Sequence, residues 1–489
     1  MAVEFDAAAG QPIECVGRGD ALDLSPVFAA MGVFWVEEFG VKRGFVAEEE
    51  QTLGVCIEPP EWIKVLGKTE RGQRAPARAG LGRELGEHAV GFMKSKEQGG
   101  RYSRKRERAE ARKFDRGFGL GVVDPGWENS PPRMSDQSRF YACIMAGGSG
   151  ERFWPMSRTH APKQLIKLFG EKTLLEQTVH RLDGVVPRKN IFVLTNQAQL
   201  ASARAALPML APGQIVAEPA KRDTAPAAAL ATALVCARDP RGVMALLSSD
   251  AMIHDGQRCG EQIGAALARA ACTSALLTVG IPPTHPATGF GYLELGSQIL
   301  RAPDGTIVRR VKRFVEKPDL ATAKRYVKSG KYLWNAGMFA WSVSAFVAEA
   351  ERNAPTLAAF IRAFPKKNVG RYLDRTFPTL EPKTSLDFAI MEKAAAVETV
   401  VAQFDWDDVG LWTSLPKHLE ADLAGNTAKG HVIAAGASNN IVVSNGRLVA
   451  LCGVKDLVIV ETADAVLVCH RDAVQDIKAL TGKLPKGFL

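Results

Sequence analysis

From residue 140 onward, brief apolar runs alternate with longer amphipathic stretches, and that rhythm predicts the fold. Residues 141–145, 191–195, 214–217, 243–248 and 275–279 read as buried strands. Residues 173–182, 197–206, 224–237 and 257–271 lie between them with helical periodicity. Strands that alternate with helices of this length form a doubly wound, mostly parallel α/β sheet. Ligands of such sheets sit outside the carboxyl ends of the strands. After residue 426 the rhythm changes to the short β segments 431–435, 440–443, 448–452, 457–461 and 465–469, separated by turns such as Ser444-Asn445-Gly446. A small sandwich and a few coils of β-helix both fit that spacing. Before Met134 the chain is rich in Gly, Arg and Glu, with weak periodicity. Three segments are therefore expected. Residues 1–133 form a poorly ordered extension, with Met134 a plausible true start; 134–425 form the α/β domain; and 426–489 form an all-β appendage.

Composition narrows the functional classes. The chain has 489 residues, 46% of them hydrophobic and 24% charged, as in an ordinary soluble protein. No apolar run is long enough to span a bilayer, and residues 28–36 lack the basic start and cleavage site of a signal peptide. A cytoplasmic protein without membrane contact is expected. The eight cysteines contain no Cys-x-x-Cys pair and no accompanying His cluster, which argues against a zinc site or disulfide framework. The net charge of +9 suits either nucleic acid or small polyanions. The densest basic run, 101–116, has only Tyr102 and Phe114 as aromatics and no recognition motif. A solvated stretch is expected there, and no nucleic-acid partner.

The strongest chemical signal is Ala146-Gly147-Gly148-Ser149-Gly150-Glu151-Arg152-Phe153-Trp154-Pro155, which continues to Pro162-Lys163-Gln164. Glycines directly after a first strand let backbone N–H groups approach phosphate oxygens. Arg152 and Lys163 add positive charge for the same phosphates. A Rossmann fingerprint fails because Phe153 holds the third glycine position, and a P-loop fails for want of Gly-Lys-Ser/Thr.

Further segments carry polar groups. Glu218-Pro219-Ala220-Lys221-Arg222-Asp223-Thr224 precedes a helix, with Thr224 as its expected N-cap. Ser248-Ser249-Asp250 ends a buried strand, where a carboxylate suits a hard cation. Asp407-Asp408-Val409-Gly410-Leu411-Trp412 supplies carboxylates from a distant part of the chain. Thr288-Gly289-Phe290-Gly291-Tyr292-Leu293, Phe314-Val315-Glu316-Lys317-Pro318 and Trp334-Asn335-Ala336-Gly337-Met338-Phe339 join close-approach glycines to Glu316, Lys317 and Asn335. Taken singly, each is as readily a surface turn or loop carboxylate.

Together, in this order, the segments resemble the sugar-1-phosphate nucleotidylyltransferases, over roughly residues 139–480. The mannose-1-phosphate guanylyltransferases of bacteria are the most similar branch. The resemblance implies GTP and mannose 1-phosphate as substrates and GDP-mannose and diphosphate as products. It implies that Gly147, Gly148, Ser149, Gly150, Glu218, Arg222 and Thr224 bind the nucleotide. Gly291, Glu316, Lys317 and Asn335 then bind the sugar phosphate. Arg152, Lys163, Asp250 and Asp408 are the implied catalytic set, with Asp250 and Asp408 on Mg²⁺, for which Mn²⁺ substitutes. Asp387-Phe388-Ala389-Ile390-Met391-Glu392-Lys393 also resembles a family segment, with a structural role expected. Three residues depart from the pattern: Ala251 where His is common, Asp223 where Asn is usual and Glu151 in place of Thr. Some relatives carry a fused cupin isomerase domain, for which this chain leaves no room, so guanylyltransferase activity alone is expected. A homodimer through the β appendage is a further expectation. Two alternatives remain: the same chemistry on UTP and glucose 1-phosphate, and a non-catalytic homologue that binds GDP-mannose. The presence of Arg152, Lys163, Asp250 and Asp408 favours an enzyme.

Overall fold

The structure, a computed structural model, describes residues 137–489 except Ser149, together with the backbone of five strands before them. Those five belong to a separate unit, Met1–Gly121. Val3–Phe5 pairs with Pro12–Cys15, and Val33–Glu38, Val41–Ala47 and Leu53–Cys56 form an antiparallel three-stranded sheet. Weak periodicity predicts no element there, although β-branched and aromatic runs such as Val33-Phe34-Trp35-Val36 suit strands. The rest of the expected extension, and Met134 after it, lie outside the described residues.

The second unit, Val122–Leu489, holds the α/β sheet. Its strands are β1 (Phe140–Met145), β2 (Ile191–Asn196), β3 (Ile215–Glu218), β4 (Val243–Ser248), β5 (Leu276–Ile281), β6 (Tyr292–Arg301), β7 (Ile307–Val315), β8 (Tyr332–Ser342) and β9 (Val397–Val401). The order across the sheet is β5-β9-β7-β6-β8-β4-β1-β2-β3. Strands β3, β2, β1 and β4 are mutually parallel. Strand β8 then joins β4 antiparallel, β5 joins β8 antiparallel, and β9 runs parallel to β5. The carboxyl ends of β1 to β5 and of β9 therefore point to one edge. That edge is where the glycine loop, Glu218, Asp250 and the 405–412 segment emerge.

Alternation along each strand feeds two cores. Phe140, Ala142 and Ile144 of β1 face one side with Val243, Ala245 and Leu247 of β4. Tyr141, Cys143, Met244 and Leu246 face the other. The first face is covered by α1 (Leu174–His180), α2 (Leu200–Ala206) and α4 (Gly256–Ala271), the second by α3 (Thr224–Arg238). Such two-sided coverage is what near-continuous apolar strands require. Helix α1 starts at a capping box: Glu176 N–H donates to Thr173 Oγ1 at 3.1 Å, and Thr173 N–H to Glu176 Oε2 at 2.7 Å. Helix α3 is alanine-rich and buried from Ala225 to Val235, sandwiched between the sheet and the helices Val343–Asn353 and Pro355–Arg362.

The C-terminal strands are β10 (Thr427–Lys429), β11 (Val432–Ala435), β12 (Ile441–Ser444), β13 (Val449–Cys452), β14 (Leu457–Glu461) and β15 (Val466–His470). Strands β10, β12 and β14 stack in parallel, as do β11 and β13, so successive coils lie in register and the β-helix reading holds over the sandwich. A ladder of buried asparagines locks the coils: Asn426 Oδ1 accepts from Asn440 N at 3.0 Å, and Asn440 Oδ1 accepts from Leu457 N at 3.0 Å. Strand β15 closes the stack antiparallel to β14.

These coils do not stand apart from the sheet domain. Ile441, Val443, Val458, Val460, Leu467 and Ile477 share one core with Phe153, Trp154, Ile166, Leu168, Val409 and Trp412. Trp154 Nε1 donates to the Phe488 carbonyl at 2.9 Å, and Arg158 Nη2 to Asp464 Oδ1 at 2.7 Å. No helix among the described residues is long and apolar enough to cross a membrane.

Candidate active site

The glycine loop is held by its carbonyls. Ala146 O accepts from Gln164 Nε2 at 2.8 Å and from Thr195 Oγ1 at 3.1 Å. Gly147 O accepts from Asn196 Nδ2 at 3.4 Å, and Gly148 O from Gln199 Nε2 at 3.1 Å. In a planar trans peptide the next N–H points the opposite way. Gly147 and Gly148 N–H are therefore directed outward, as an anion requires. Gly150 has φ +60°, and a Cβ there would stand 2.6 Å from Lys163 N, so only glycine fits against the lysine backbone. Ser149 lies outside the described residues.

Lys163 begins a short 3-10 turn and is buried, with 6% of its surface exposed. Its Nζ stands 2.9 Å from Asp250 Oδ2 and donates to the Asp408 carbonyl at 2.7 Å and the Val409 carbonyl at 3.2 Å. One ammonium thus ties the end of β4 to the 405–412 segment, while the backbone of the same lysine lies against Gly150 of the glycine loop. A backbone bridge aligns the last two: Met252 N–H donates to Asp407 O at 2.8 Å, and Asp407 N–H to Met252 O at 3.0 Å. Arg152 is exposed on the 3-10 turn Glu151–Phe153. Glu151, an acid beside an anion site, has Lys478 Nζ at 4.0 Å.

The two adjacent aspartates have different environments. Asp407 accepts from Lys417 Nζ and from Val409 N–H, at 2.7 and 2.8 Å, and its carboxyl is held well below the ordinary range despite burial. Asp408 accepts no hydrogen bond at its carboxylate among the described residues. Burial first, then Asp407 and Asp250, push its carboxyl up, with Lys163 opposing. Like charges gathered against one lysine, with carboxylate oxygens unsatisfied, form a donor set that suits a hard divalent cation. The Asp-Asp pair thus divides into a structural anchor, Asp407, and a ligand candidate, Asp408, the same residue that the resemblance singles out.

At the nucleotide side, Glu218 ends β3 beneath the loop, and a Cβ on Gly147 would come 3.6 Å from its Oε2. Burial pushes its carboxyl up to about 7. Arg222 is engaged elsewhere: Nη2 donates to the Leu380 carbonyl at 2.7 Å and pairs with Glu381 at 2.6 Å. Thr224 Oγ1 accepts from Leu386 N–H at 2.8 Å, which anchors the loop before residue 387. The expected N-cap at Thr224 shifts by one residue, because Asp223 accepts from Thr224 N–H at 2.8 Å.

The residues expected on the sugar side also converge. Strand β7 ends at Val315, so Glu316 lies beside Gly291, where a Cβ would be 2.6 Å from Glu316 Oε2. Glu316 pairs with Lys317 Nζ at 2.5 Å. Asn335, on β8, accepts from Thr278 Oγ1 at 2.8 Å and donates through Nδ2 to Asp387 Oδ1 at 3.1 Å. Asp387 is a member of this cluster, although its segment is expected to be only structural. Burial and then Glu316 push its carboxyl up to about 6. Its amphipathic setting hid it: the carboxylate starts a π-helical turn, Asp387–Met391, whose apolar side fills the core.

The nucleotidyl transferase family model matches residues 141–425, and the model of the MannoseP isomerase/GMP-like beta-helix domain matches 430–484. The chain belongs to the nucleotidyl transferase family. Within this family it is 36% identical to mannose-1-phosphate guanylyltransferase of Escherichia coli, over 71% of this chain and 74% of the relative. It is 35% identical to the alginate biosynthesis protein AlgA of Pseudomonas aeruginosa, over 68% and 70%. The crystal structure of mannose-1-phosphate geranyltransferase from Thermus thermophilus superposes with a TM-score of 0.63 at 32% identity, covering 71% of this chain and 99% of that one.

Half of the non-glycine residues with positive φ among the described residues of this nucleotidyl transferase, three of six, fall in the site segments; the others are Asn368, Asn439 and Asp456. Asp223, Lys317 and Val409 are non-glycine residues with φ of +70°, +44° and +46°. A buried β-branched residue such as Val409 is rarely found there. Each flanks a site segment, where strain of ~1–3 kcal/mol is tolerated for the placement it gives.

Proposed function

We propose that the chain transfers the guanylyl group of GTP to mannose 1-phosphate, giving GDP-mannose and diphosphate. The observation that carries this reading is Lys163, whose backbone lies against Gly150 of the glycine loop while its ammonium pairs with Asp250 and the Asp408 carbonyl. A phosphate oxygen of mannose 1-phosphate attacks the α-phosphorus of GTP, and the bond from that phosphorus to the α–β bridging oxygen breaks. The attacking oxygen is already ionised at neutral pH, so no general base is required; positioning and charge neutralisation carry the reaction. The outward N–H groups of Gly147 and Gly148 hold phosphate oxygens. Arg152 and Lys163 offset charge on the departing diphosphate. Asp250 and Asp408 would hold Mg²⁺, which supplies further neutralisation of phosphate charge when bound. Glu316 and Asn335 orient the sugar hydroxyls, and Lys317 fixes the phosphate of the nucleophile.

Diphosphate release tests this reading: purified protein is expected to release it from GTP with mannose 1-phosphate in preference to UTP with glucose 1-phosphate. Binding of GDP-mannose without release would instead make the chain a non-catalytic homologue.

The neighbouring aspartates give a second test. Asp408→Asn is expected to raise the Mg²⁺ concentration for half-maximal rate by tenfold or more, since about 1.4 kcal/mol of lost binding is a factor of ten. Asp407→Asn is expected to lower thermal stability first, because Lys417 and Val409 N–H lose an ionised partner. Equal metal dependence in both variants would contradict the division of roles.

Glu218 provides a pH signature. Ionised, its carboxylate can accept the N1–H and amino protons of guanine; protonated, it accepts less well. Guanosine has no phosphate to titrate, and its affinity is expected to rise as pH passes through about 7. In Glu218→Gln that rise should be absent. The sign for stability is opposite. The folded carboxyl keeps its proton between its ordinary value and about 7 while the unfolded one releases it, so stability falls as pH rises through that window. Guanosine affinity that is flat with pH in the wild type would remove Glu218 from base recognition.

A further inference from the structure

Phe290 lies on the loop between β5 and β6, flanked by Gly289 and Gly291. Its ring meets two indoles edge to face. Trp334 is at 5.2 Å between centroids and 68° between planes; Trp406 is at 5.2 Å and 71°. Trp334 immediately precedes Asn335 of the sugar cluster, and Trp406 stands two residues before Asp408. Both indole nitrogens are buried, and neither has a hydrogen-bond partner among the described residues. A buried indole N–H ordinarily fixes its ring by finding an acceptor. Here ring packing has to set the orientation, and Phe290 is the ring the two indoles share. The backbone reinforces the Trp334 side of this join: Asn335 N–H donates to Gly291 O at 2.8 Å, and Tyr292 pairs with Trp334. On its far side Trp334 meets the His285 ring at 4.8 Å.

We infer that Phe290 is a positioning residue that sets the sugar-binding segment against the 405–408 segment, so that the sugar phosphate and the α-phosphate of the nucleotide lie in reacting order. Its ring acts through Trp334 and Trp406, the two indoles it packs against. The inference rests on the proposed function, because it assumes that the Asn335 cluster holds the sugar.

Binding without turnover isolates the effect. Titration calorimetry with GDP reads the nucleotide side alone, and GDP-mannose reads both sides. In Phe290→Ala, GDP-mannose affinity is expected to fall about tenfold, the scale of losing two aromatic contacts, with GDP affinity unchanged within about twofold. Phe290→Tyr should restore the wild-type ratio. Phe290→Leu retains apolar bulk without the ring edge and should behave like Phe290→Ala; it gives the same readout if the alanine variant fails to fold. A lowered melting temperature with the wild-type GDP-mannose to GDP ratio, in Phe290→Ala or Phe290→Leu, overturns the inference and leaves Phe290 as packing. Failure of the underlying function looks different: wild-type protein would then show no preference for GDP-mannose over GDP.

Discussion

Lys163→Ala is expected to reduce turnover by about 10²–10³-fold, the scale on which loss of one preorganised charge contact acts in a transition state. Three partners lose their cation at once: the Asp250 carboxylate and the carbonyls of Asp408 and Val409. The sequence alone suggests a lysine that touches only phosphate, whose removal leaves the fold intact. The structure makes it a structural tie as well, since an unpaired buried carbonyl costs roughly 1–3 kcal/mol. The melting temperature should therefore fall together with turnover. Lys163→Met keeps an apolar stem of similar length, with Phe153 near its tip, where Nζ stands 5.9 Å from the ring centroid, so it should recover part of the stability and none of the rate. Steady-state kinetics and thermal melts of both variants test this pair of effects. Turnover close to wild type in either would remove Lys163 from the catalytic set.

Removal of divalent cations by EDTA is expected to abolish activity, and Mg²⁺ or Mn²⁺ to restore it, because both favour oxygen donors. The donor set comes from places 158 residues apart, Asp250 and Asp408, counted as 408 minus 250. If the two carboxylates hold one ion, Asp250→Asn combined with Asp408→Asn should be little worse than the poorer single variant, since residues that act as a unit are non-additive. Additive losses would place them in separate roles. Activity that persists in EDTA would leave the neutralisation of phosphate charge to side chains such as Arg152, Lys163 and Lys317 and contradict a metal-assisted reaction.

The parallel half of the sheet was legible because β1, β2 and β4 are buried on both faces and read as nearly uninterrupted apolar runs, and the edge strand β3 opens on the apolar Ile215-Val216-Ala217. Strand β4 coincides with the expected 243–248, and β1 begins one residue before expectation. The antiparallel strands β6 to β8 were not legible. Strand β7 carries Arg309, Arg310, Lys312 and Arg313 among its apolar residues, and β6 and β7 pair with repeated register shifts, which blurs a period of two. The site was legible where chemistry and chain position coincide, at the glycine loop, Lys163 and Asp250. It was not legible at Asp387, which gains its place only through Asn335 across the fold. Nor could spacing choose between β-helix and sandwich; the parallel registers and the Asn426–Asn440 ladder decide it.

The core that the C-terminal coils share with Phe153, Trp154, Val409 and Trp412 ties their opening to the occupancy of the phosphate loop. A ligand that binds only the folded protein stabilises every segment that must unfold to release it. Amide protons of the buried β12 and β14 strands, outside the α/β sheet, should therefore exchange more slowly when GTP is bound. By the same linkage, a cavity cut into the coils, such as Ile441→Ala, should weaken the grip on triphosphate from outside the active site.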